Sequence, residues 1–137
     1  MTIAELKLGD QASMAKTISE SDVYLFAGIT GDHNPAHVNE VYASQSQFGR
    51  RIAHGILSAG LISAVLAMKL PGPGTIYLGQ ELKFVRPVYF GDTVTATCTV
   101  TELLPEKNIA KLETICTNQE GTVVIKGVAT VMPPKAV

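Results

Sequence analysis

Asp32 and His37 are the two residues whose types and spacing could carry out chemistry. They lie five positions apart at the ends of the segment DHNPAH. A carboxylate that orients an imidazole or a water molecule, beside an imidazole that titrates near neutral pH, can act in general acid–base catalysis. The same pair could instead serve structure alone, with Asp32 capping local N–H groups and His37 lying on the surface.

The dipeptide His54-Gly55 stands at the start of a second segment of chemical interest. The N–H groups at the beginning of a helix are unpaired, and the helix dipole adds positive potential there. Such an amide can stabilise an enolate oxygen as an oxyanion hole does, and a glycine lets a carbonyl group come close to the backbone. Alternatively, Gly55 only satisfies a need for close packing.

Three histidines (His33, His37 and His54) lie close to Asp32 in the sequence and could suggest a metal site. They do not form the helical His-x-x-x-His pair that is typical of such sites, and Pro35 interrupts regular geometry between them. We therefore expect no metal ion at these residues.

The first half of the chain must position these residues, and it is mostly helical. Residues 11–18 are predicted to form a strand, and a helix is expected over 20–30, with Ser19 as its N-cap and Gly31 as its terminator. Because Pro35 disfavours a helical conformation at the preceding residue, 32–37 is predicted to be loop. A short helix over 40–46, capped by Asn39, should follow.

The segment 55–69 reads GILSAGLISAVLAMK and carries no charge before its last residue. A helix that is apolar on nearly every side is expected to be surrounded by protein. From residue 75 onward the pattern changes to a period of two, which predicts strands over 75–90, 93–104, 109–118 and 122–132. The expected fold is α+β: a four-stranded antiparallel meander, joined by the first strand, wrapped around a buried helix.

Composition excludes several classes of protein. Eleven basic and twelve acidic residues give a net charge of −1, which argues against nonspecific nucleic-acid binding. No apolar run reaches the length of a membrane span, and no signal peptide is evident at the N-terminus. Two cysteines without a secretion signal are expected to be reduced thiols in the cytoplasm. Charged residues make up only 17% of the chain, which is typical of a surface partly covered by another subunit.

Five motifs in order along the chain resemble the MaoC-like hydratases, and most closely the small (R)-specific enoyl-CoA hydratases of bacterial polyhydroxyalkanoate metabolism. The resemblance spans about residues 7–131, so that 1–137 is interpreted as a single domain. It implies a hot-dog fold, in which a curled antiparallel sheet surrounds a long central helix. The motifs are Asp32-x-Asn34-Pro35-x-His37, Arg51-Ile52-x-His54-Gly55, Ile76-Tyr77-Leu78-Gly79-Gln80, Phe84-x-Arg86-Pro87-Val88 and Gly91-Asp92-Thr93-Val94.

The resemblance also implies roles for individual residues. The family's catalytic aspartate and histidine fall on Asp32 and His37, its oxyanion-hole amide on Gly55, and a supporting serine on Ser63, with Ser58 on the same helix as the alternative. Four further residues are expected to contact the substrate, and two arginines among them could meet the phosphates of coenzyme A or be ion-paired instead. These four are Asn34, Arg51, His54 and Arg86.

The implied activity is hydration of a trans-2-enoyl-CoA to the (R)-3-hydroxyacyl-CoA, with no metal or redox cofactor. Which member of the Asp32–His37 pair is base and which is acid does not follow from the sequence. The substrate tunnel of this family usually lies between subunits, so a homodimer is expected. Three other functions stay open: a hot-dog thioesterase, a dehydratase of 3-hydroxyacyl groups on acyl carrier protein, and a non-catalytic acyl-thioester binding protein.

Overall fold

The computed structural model describes all residues, 1–137. Five strands and four α-helices follow one another in the order β1, α1, α2, α3, α4, β2, β3, β4, β5. The strands are β1 (Gln11–Thr17), β2 (Ile76–Phe84), β3 (Thr93–Leu104), β4 (Ile109–Thr117) and β5 (Val123–Met132); the helices are α1 (Glu20–Thr30), α2 (Pro35–Val38), α3 (Glu40–Ser44) and α4 (Gly55–Met68).

The five strands form one antiparallel sheet in the spatial order β1-β3-β4-β5-β2. The expected meander is therefore only partly right. β3, β4 and β5 do pair in sequence, but β2 pairs with β5 across the sheet rather than with β3. β2 also ends at Phe84 instead of residue 90. Residues 85–92 instead form a turn region. Its only strand-type pairing is an isolated bridge between Ile52 and Tyr89.

The core lies between one face of the sheet and α4. Along β3, alternate residues from Val94 to Val100 are buried, which confirms the predicted period of two. They pack with α4 residues such as Ile62 and Leu66 in a cluster of 21 buried residues. Full burial of each Val, Leu or Ile side chain stabilises the fold by about 1.5–3 kcal/mol, so this contact fixes α4 on the sheet.

The central helix is not enclosed on all sides, contrary to the expectation from its composition. The sheet covers the face that carries Ser58, Ile62 and Leu66, whereas Ile56 is 52% exposed and Met68 is 68% exposed. A single sheet can cover only one side of a helix, so these two side chains stay exposed within one chain. No helix combines the length and apolar character needed to cross a membrane.

Capping residues determine where α1, the helix that precedes the site, begins and ends. The Ser19 side chain accepts a hydrogen bond from the Asp22 N–H, and the Asp22 carboxylate accepts one from the Ser19 N–H, which together form a capping box. Gly31 ends α1 with a φ of 82°, a left-handed conformation that glycine adopts without steric cost. The chain thereby turns into the segment that carries Asp32.

Candidate active site

His37 lies on a four-residue helix rather than in the loop predicted for 32–37. Asn34 keeps the extended ψ of 130° expected before a proline, but its side-chain oxygen accepts from the Ala36 N–H at 2.9 Å and caps α2. Pro35 occupies the first helical position, where its missing N–H costs nothing. Asn34 therefore positions His37. The oxygen of its side chain serves the cap, so only the exposed side-chain nitrogen is left for the expected contact with substrate.

The orientation of the His37 ring defines its chemically available nitrogen. Nδ1 lies 2.7 Å from the carbonyl oxygen of Ile52. A carbonyl oxygen can only accept a hydrogen bond, so Nδ1 carries the proton and Nε2 of the neutral ring presents a lone pair. His37 is half-buried, which leaves this second nitrogen accessible to a small molecule.

Asp32 is exposed and lies close to two imidazoles, those of His37 and His54. One side-chain oxygen or nitrogen from each of Asp32, His37 and His54 lies within 4.8 Å of the other two. Asp32 Oδ1 also accepts from the Asn34 N–H at 3.2 Å, which orients the carboxylate in its turn. Asp32 and His37 therefore lie close enough for one water molecule to contact both groups.

Gly55 is the first residue of α4, and its N–H donates to no acceptor within the chain. A β-carbon at this position would lie 2.6 Å from Cδ1 of Phe84. Glycine is therefore required for the observed approach of the Phe84 ring. The free N–H and the positive end of the helix dipole make this position able to stabilise a developing oxyanion.

An apolar cavity of about 500 Å³ opens beside Gly55. Its walls come from the segments on either side of the helix start and from the end of β2, and one cation, Arg86, stands in its lining. Arg86 is exposed and makes only one side-chain hydrogen bond, to the Val85 carbonyl oxygen at 3.3 Å. Its charge is therefore available to an anionic group at the cavity.

Arg51 forms ion pairs within the chain, whereas a contact with substrate was expected. Its guanidinium donates to the Glu20 and Glu40 carboxylates at 2.5 and 2.8 Å and to the Tyr24 hydroxyl at 2.7 Å. With three donors committed, a phosphate of coenzyme A could bind Arg51 only by displacing a carboxylate. Arg51 thus ties α1 to α3, and its predicted role as a substrate contact is corrected to a structural one.

His54 and the two helix serines also occupy distinct environments. His54 is only 2% exposed, and its ring is enclosed rather than open to substrate. Ser58, one turn into α4, is fully buried and its hydroxyl has no hydrogen-bond partner. Ser63, the residue implied by the resemblance, lies on the exposed face of α4 and within one chain does not join Asp32 and His37.

Two contributors to the site escaped the sequence analysis. The Ile52 main-chain carbonyl holds His37, and no side-chain pattern reports a carbonyl oxygen. The Phe84 ring, at the end of β2, covers Gly55. The only signal for Phe84 in the sequence was its place in one motif with Arg86.

Comparison with known proteins identifies the family of this chain. The family model of the MaoC like domain matches residues 7–124. An (R)-specific enoyl-CoA hydratase of Rhodospirillum rubrum is 63% identical over 130 residues, which is 95% of this chain and 90% of that protein.

Two solved structures show the same fold. The unliganded R-hydratase PhaJ1 of Pseudomonas aeruginosa superposes with a TM-score of 0.93 at 48% identity, covering 98% of this chain and 86% of the other. The (R)-hydratase of A. caviae involved in PHA biosynthesis gives 0.92 at 42% identity, covering 95% and 98%. The predicted α+β hot-dog fold is confirmed, and the chain belongs to the MaoC-like domain family.

Proposed function

We propose that this protein catalyses the reversible, (R)-specific hydration of trans-2-enoyl-CoA to (R)-3-hydroxyacyl-CoA. One observation carries the proposal: Asp32 and His37 face a common space, with Nε2 of His37 left free by the Nδ1 contact to Ile52. The free N–H of Gly55 adds an oxyanion-stabilising group in the same region. Relatives that are named (R)-specific hydratases support the stereochemical part.

The reaction follows from these groups. Asp32 and His37 hold one water molecule, whose oxygen attacks the β-carbon of the enoyl group while one proton passes to the pair. The electrons of the C=C bond move toward the thioester carbonyl, whose oxygen becomes enolate-like beside the Gly55 N–H. A proton from the pair then reaches the α-carbon. The net change adds water and needs no external redox partner.

The direct test uses crotonyl-CoA with chiral analysis of the product. We expect loss of enoyl absorbance, no free thiol and formation of the (R)-3-hydroxy product. Release of thiol without hydration would identify a thioesterase, and neither change would identify a binding protein. Parallel assays with crotonyl groups on CoA and on acyl carrier protein separate a CoA-dependent hydratase from a carrier-protein dehydratase; we expect the CoA ester to be the better substrate.

The proposed activity needs no metal, since proton transfer and the Gly55 amide account for each step. Dialysis against EDTA should therefore leave crotonyl-CoA hydration unchanged. Loss of activity that returns on addition of Zn²⁺ or Mg²⁺ would contradict this part. A role in polyhydroxyalkanoate biosynthesis is proposed by analogy with the A. caviae protein and predicts that the (R) product is consumed by a polymerising enzyme.

We propose that Arg86 recognises the phosphates of coenzyme A. It is exposed, lines the cavity beside Gly55 and has no carboxylate partner, unlike Arg51. Arg86→Ala should raise KM for crotonyl-CoA severalfold with little change in kcat, and it should leave KM for crotonyl-pantetheine, which lacks the phosphates, unchanged. Lys126→Ala, which removes an exposed cation of β5, is the control. Equal losses with both substrates would contradict the assignment.

We further propose a homodimer that acts in the cytoplasm. β2 is an edge strand of the sheet, and Ile76 and Leu78 on it are 55% and 49% exposed. An uncovered apolar edge strand is a template for pairing with another copy. Light scattering should give twice the mass of one chain. A combined Ile76→Lys and Leu78→Lys variant should be monomeric, whereas Leu25→Lys, at a site of α1 that is 65% exposed, should remain dimeric.

A further inference from the structure

We propose that His54 is a positioning residue. Its ring, in a fixed Nε2–H tautomer, holds Asp32 and His37 in their positions relative to each other. This inference rests on the hydratase activity proposed above. It differs from the substrate contact expected for His54, because a side chain that is 2% exposed cannot meet the substrate in this conformation.

The hydrogen bond of His54 defines its tautomer. Nε2 lies 2.9 Å from the main-chain oxygen of Asp32. That oxygen can only accept, so Nε2 carries the proton. Nδ1 is then an acceptor, and it is buried without a hydrogen-bond partner. A proton on Nδ1 would be a buried donor without an acceptor, which is costly. The surroundings therefore favour a single tautomer.

This hydrogen bond is the only one that connects residues 31–34 to a distant part of the chain. The other bonds of this segment are local. They run from Gly31 N–H to the Ala27 oxygen, Asp32 N–H to the Thr30 hydroxyl, His33 N–H to the Gly31 oxygen, Asn34 N–H to the Asp32 carboxylate, and from the N–H groups of Ala36 and His37 to the Asn34 oxygens. Ile52 holds the following helix α2 through its bonds with Ala36 and His37. His54 adds the one bond that ties Asp32 itself to the start of α4.

His54 also contacts the second member of the pair. Its ring centroid lies 3.9 Å from that of His37, with 31° between the planes, and 4.8 Å from that of Phe26. The His37 ring is thus restrained by its Nδ1 bond to Ile52 and by the face of His54. Because Gly55 is the next residue, one short segment positions the carboxylate, the imidazole and the oxyanion-stabilising amide.

Two substitutions separate the hydrogen bond from the ring. His54→Phe keeps an aromatic face and removes the donor, whereas His54→Gln places an amide N–H near the position of Nε2 and removes the ring. A displacement of about 1 Å at a catalytic group can cost about 10²-fold in rate. We expect His54→Phe to lower kcat for crotonyl-CoA by about 10²-fold with KM nearly unchanged, and His54→Gln to recover at least tenfold of that loss.

His33→Phe and His33→Gln are the matched controls. His33 is exposed in the same segment and its side chain has no hydrogen-bond partner, so both variants should retain wild-type kcat. A purely structural role for His54 predicts equal losses in both His54 variants, in proportion to the unfolded fraction. Equal kcat in folded His54→Phe and wild type, or no recovery in folded His54→Gln, would overturn the proposal.

A second measurement does not depend on activity or on folding of the variants. In wild-type protein labelled with ¹⁵N-histidine, His54 should show the Nε2–H tautomer, and the ring proton should exchange slowly with solvent. An Nδ1–H tautomer or a rapidly exchanging ring proton would overturn the proposal even in an active enzyme. If wild-type protein hydrates no enoyl-CoA, the proposed function fails, while this spectrum still decides the geometry of His54.

Discussion

The Nδ1 atom of His37 lies 2.7 Å from the main-chain oxygen of Ile52, and this contact fixes which end of the imidazole can do chemistry. The carbonyl oxygen accepts the Nδ1 proton, so that Nε2 of the neutral ring is left with its lone pair. Ile52 is separated from the oxyanion-stabilising Gly55 by only two residues. The start of α4 therefore determines both the tautomer of the proposed acid–base group and the place of the amide.

Asp32→Asn and His37→Ala test the proposed pair. Asn keeps the shape of the aspartate without its charge, and Ala removes the imidazole. We expect each variant to lower kcat for crotonyl-CoA by about 10²–10⁴-fold. Because Asp32 is exposed and His37 is only half-buried, the melting temperature should change little. Near-wild-type turnover in either folded variant would remove that residue from the mechanism.

Gly55→Ala tests whether the substrate carbonyl must approach the free N–H of Gly55. The backbone of Gly55 is helical and accepts alanine, but the new methyl group would meet the Phe84 ring at 2.6 Å. Phe84 is 53% exposed, so its ring can move aside. The variant should therefore fold, with kcat reduced by about tenfold or more because the methyl group restricts approach to the N–H.

The double variant Gly55→Ala/Phe84→Ala distinguishes two causes of that loss. If the methyl group itself blocks the carbonyl, removing the Phe84 ring will not restore kcat. If the displaced ring is responsible, the double variant will be more active than Gly55→Ala alone. We expect no restoration. Phe84→Ala by itself serves as the reference for both comparisons.

Much of this arrangement was predictable, and the reasons for the exceptions are physical. α1 and α4 follow from local caps and apolar patterns, and their starts at Glu20 and Gly55 agree with the prediction. The pairing of β2 with β5 is non-local and leaves no short-range signature. Arg51 meets Glu20 across 31 positions, so its ion pair could not be distinguished from a free cation in the sequence.

Alanine substitution of the two serines of α4 should affect kcat differently. Ser63, to which the family resemblance assigns a supporting role, is exposed on α4, whereas the buried Ser58 hydroxyl has no partner. Ser63→Ala is expected to lower kcat without changing the melting temperature. Ser58→Ala removes an unsatisfied polar group, so the melting temperature should stay equal or rise, with kcat retained. A large fall in activity in Ser58→Ala would exchange the two assignments.

Cys98 and Cys116 should be unreactive in the folded protein. Both are buried in the sheet as free thiols, and burial raises the pKa of Cys98 to about 12 and that of Cys116 to about 11 from an ordinary 9.0. Because only the thiolate reacts, a thiol reagent at pH 8 should label neither residue until denaturant is added, and then both.

The same shifts predict the direction of alkaline destabilisation. Above pH 9 the thiols of the unfolded chain ionise while those of the folded chain remain protonated. The unfolded state then binds fewer protons, so the free energy of unfolding falls as the pH rises from 9 toward 11 and 12. Cys98→Ser/Cys116→Ala should show a shallower fall over this range. An identical slope in the variant would contradict the assignment to these thiols.

Asp22 makes a pH-dependent contribution at the acid end. Its carboxylate accepts from Lys16 Nζ at 2.6 Å and from the Ser19 N–H at 2.9 Å, and these two contacts, the Lys16 side chain first, hold the pKa of Asp22 below its ordinary 3.8. The stabilisation is complete above pH 3.8 and is lost as the pH falls through the lowered value.

Asp22→Asn should therefore have a lower melting temperature than wild type at pH 7. The corresponding loss in free energy of unfolding should be less than about 1 kcal/mol. Because the protonated carboxyl and the amide are both uncharged, thermal melts from pH 7 to pH 2 should show the two proteins converging at the acid end. Glu120→Gln removes an exposed carboxylate without an ion pair, so its melting temperature should match that of wild type throughout. If the difference in melting temperature between Asp22→Asn and wild type stays constant down to pH 2, the charge of Asp22 is not what stabilises the start of α1.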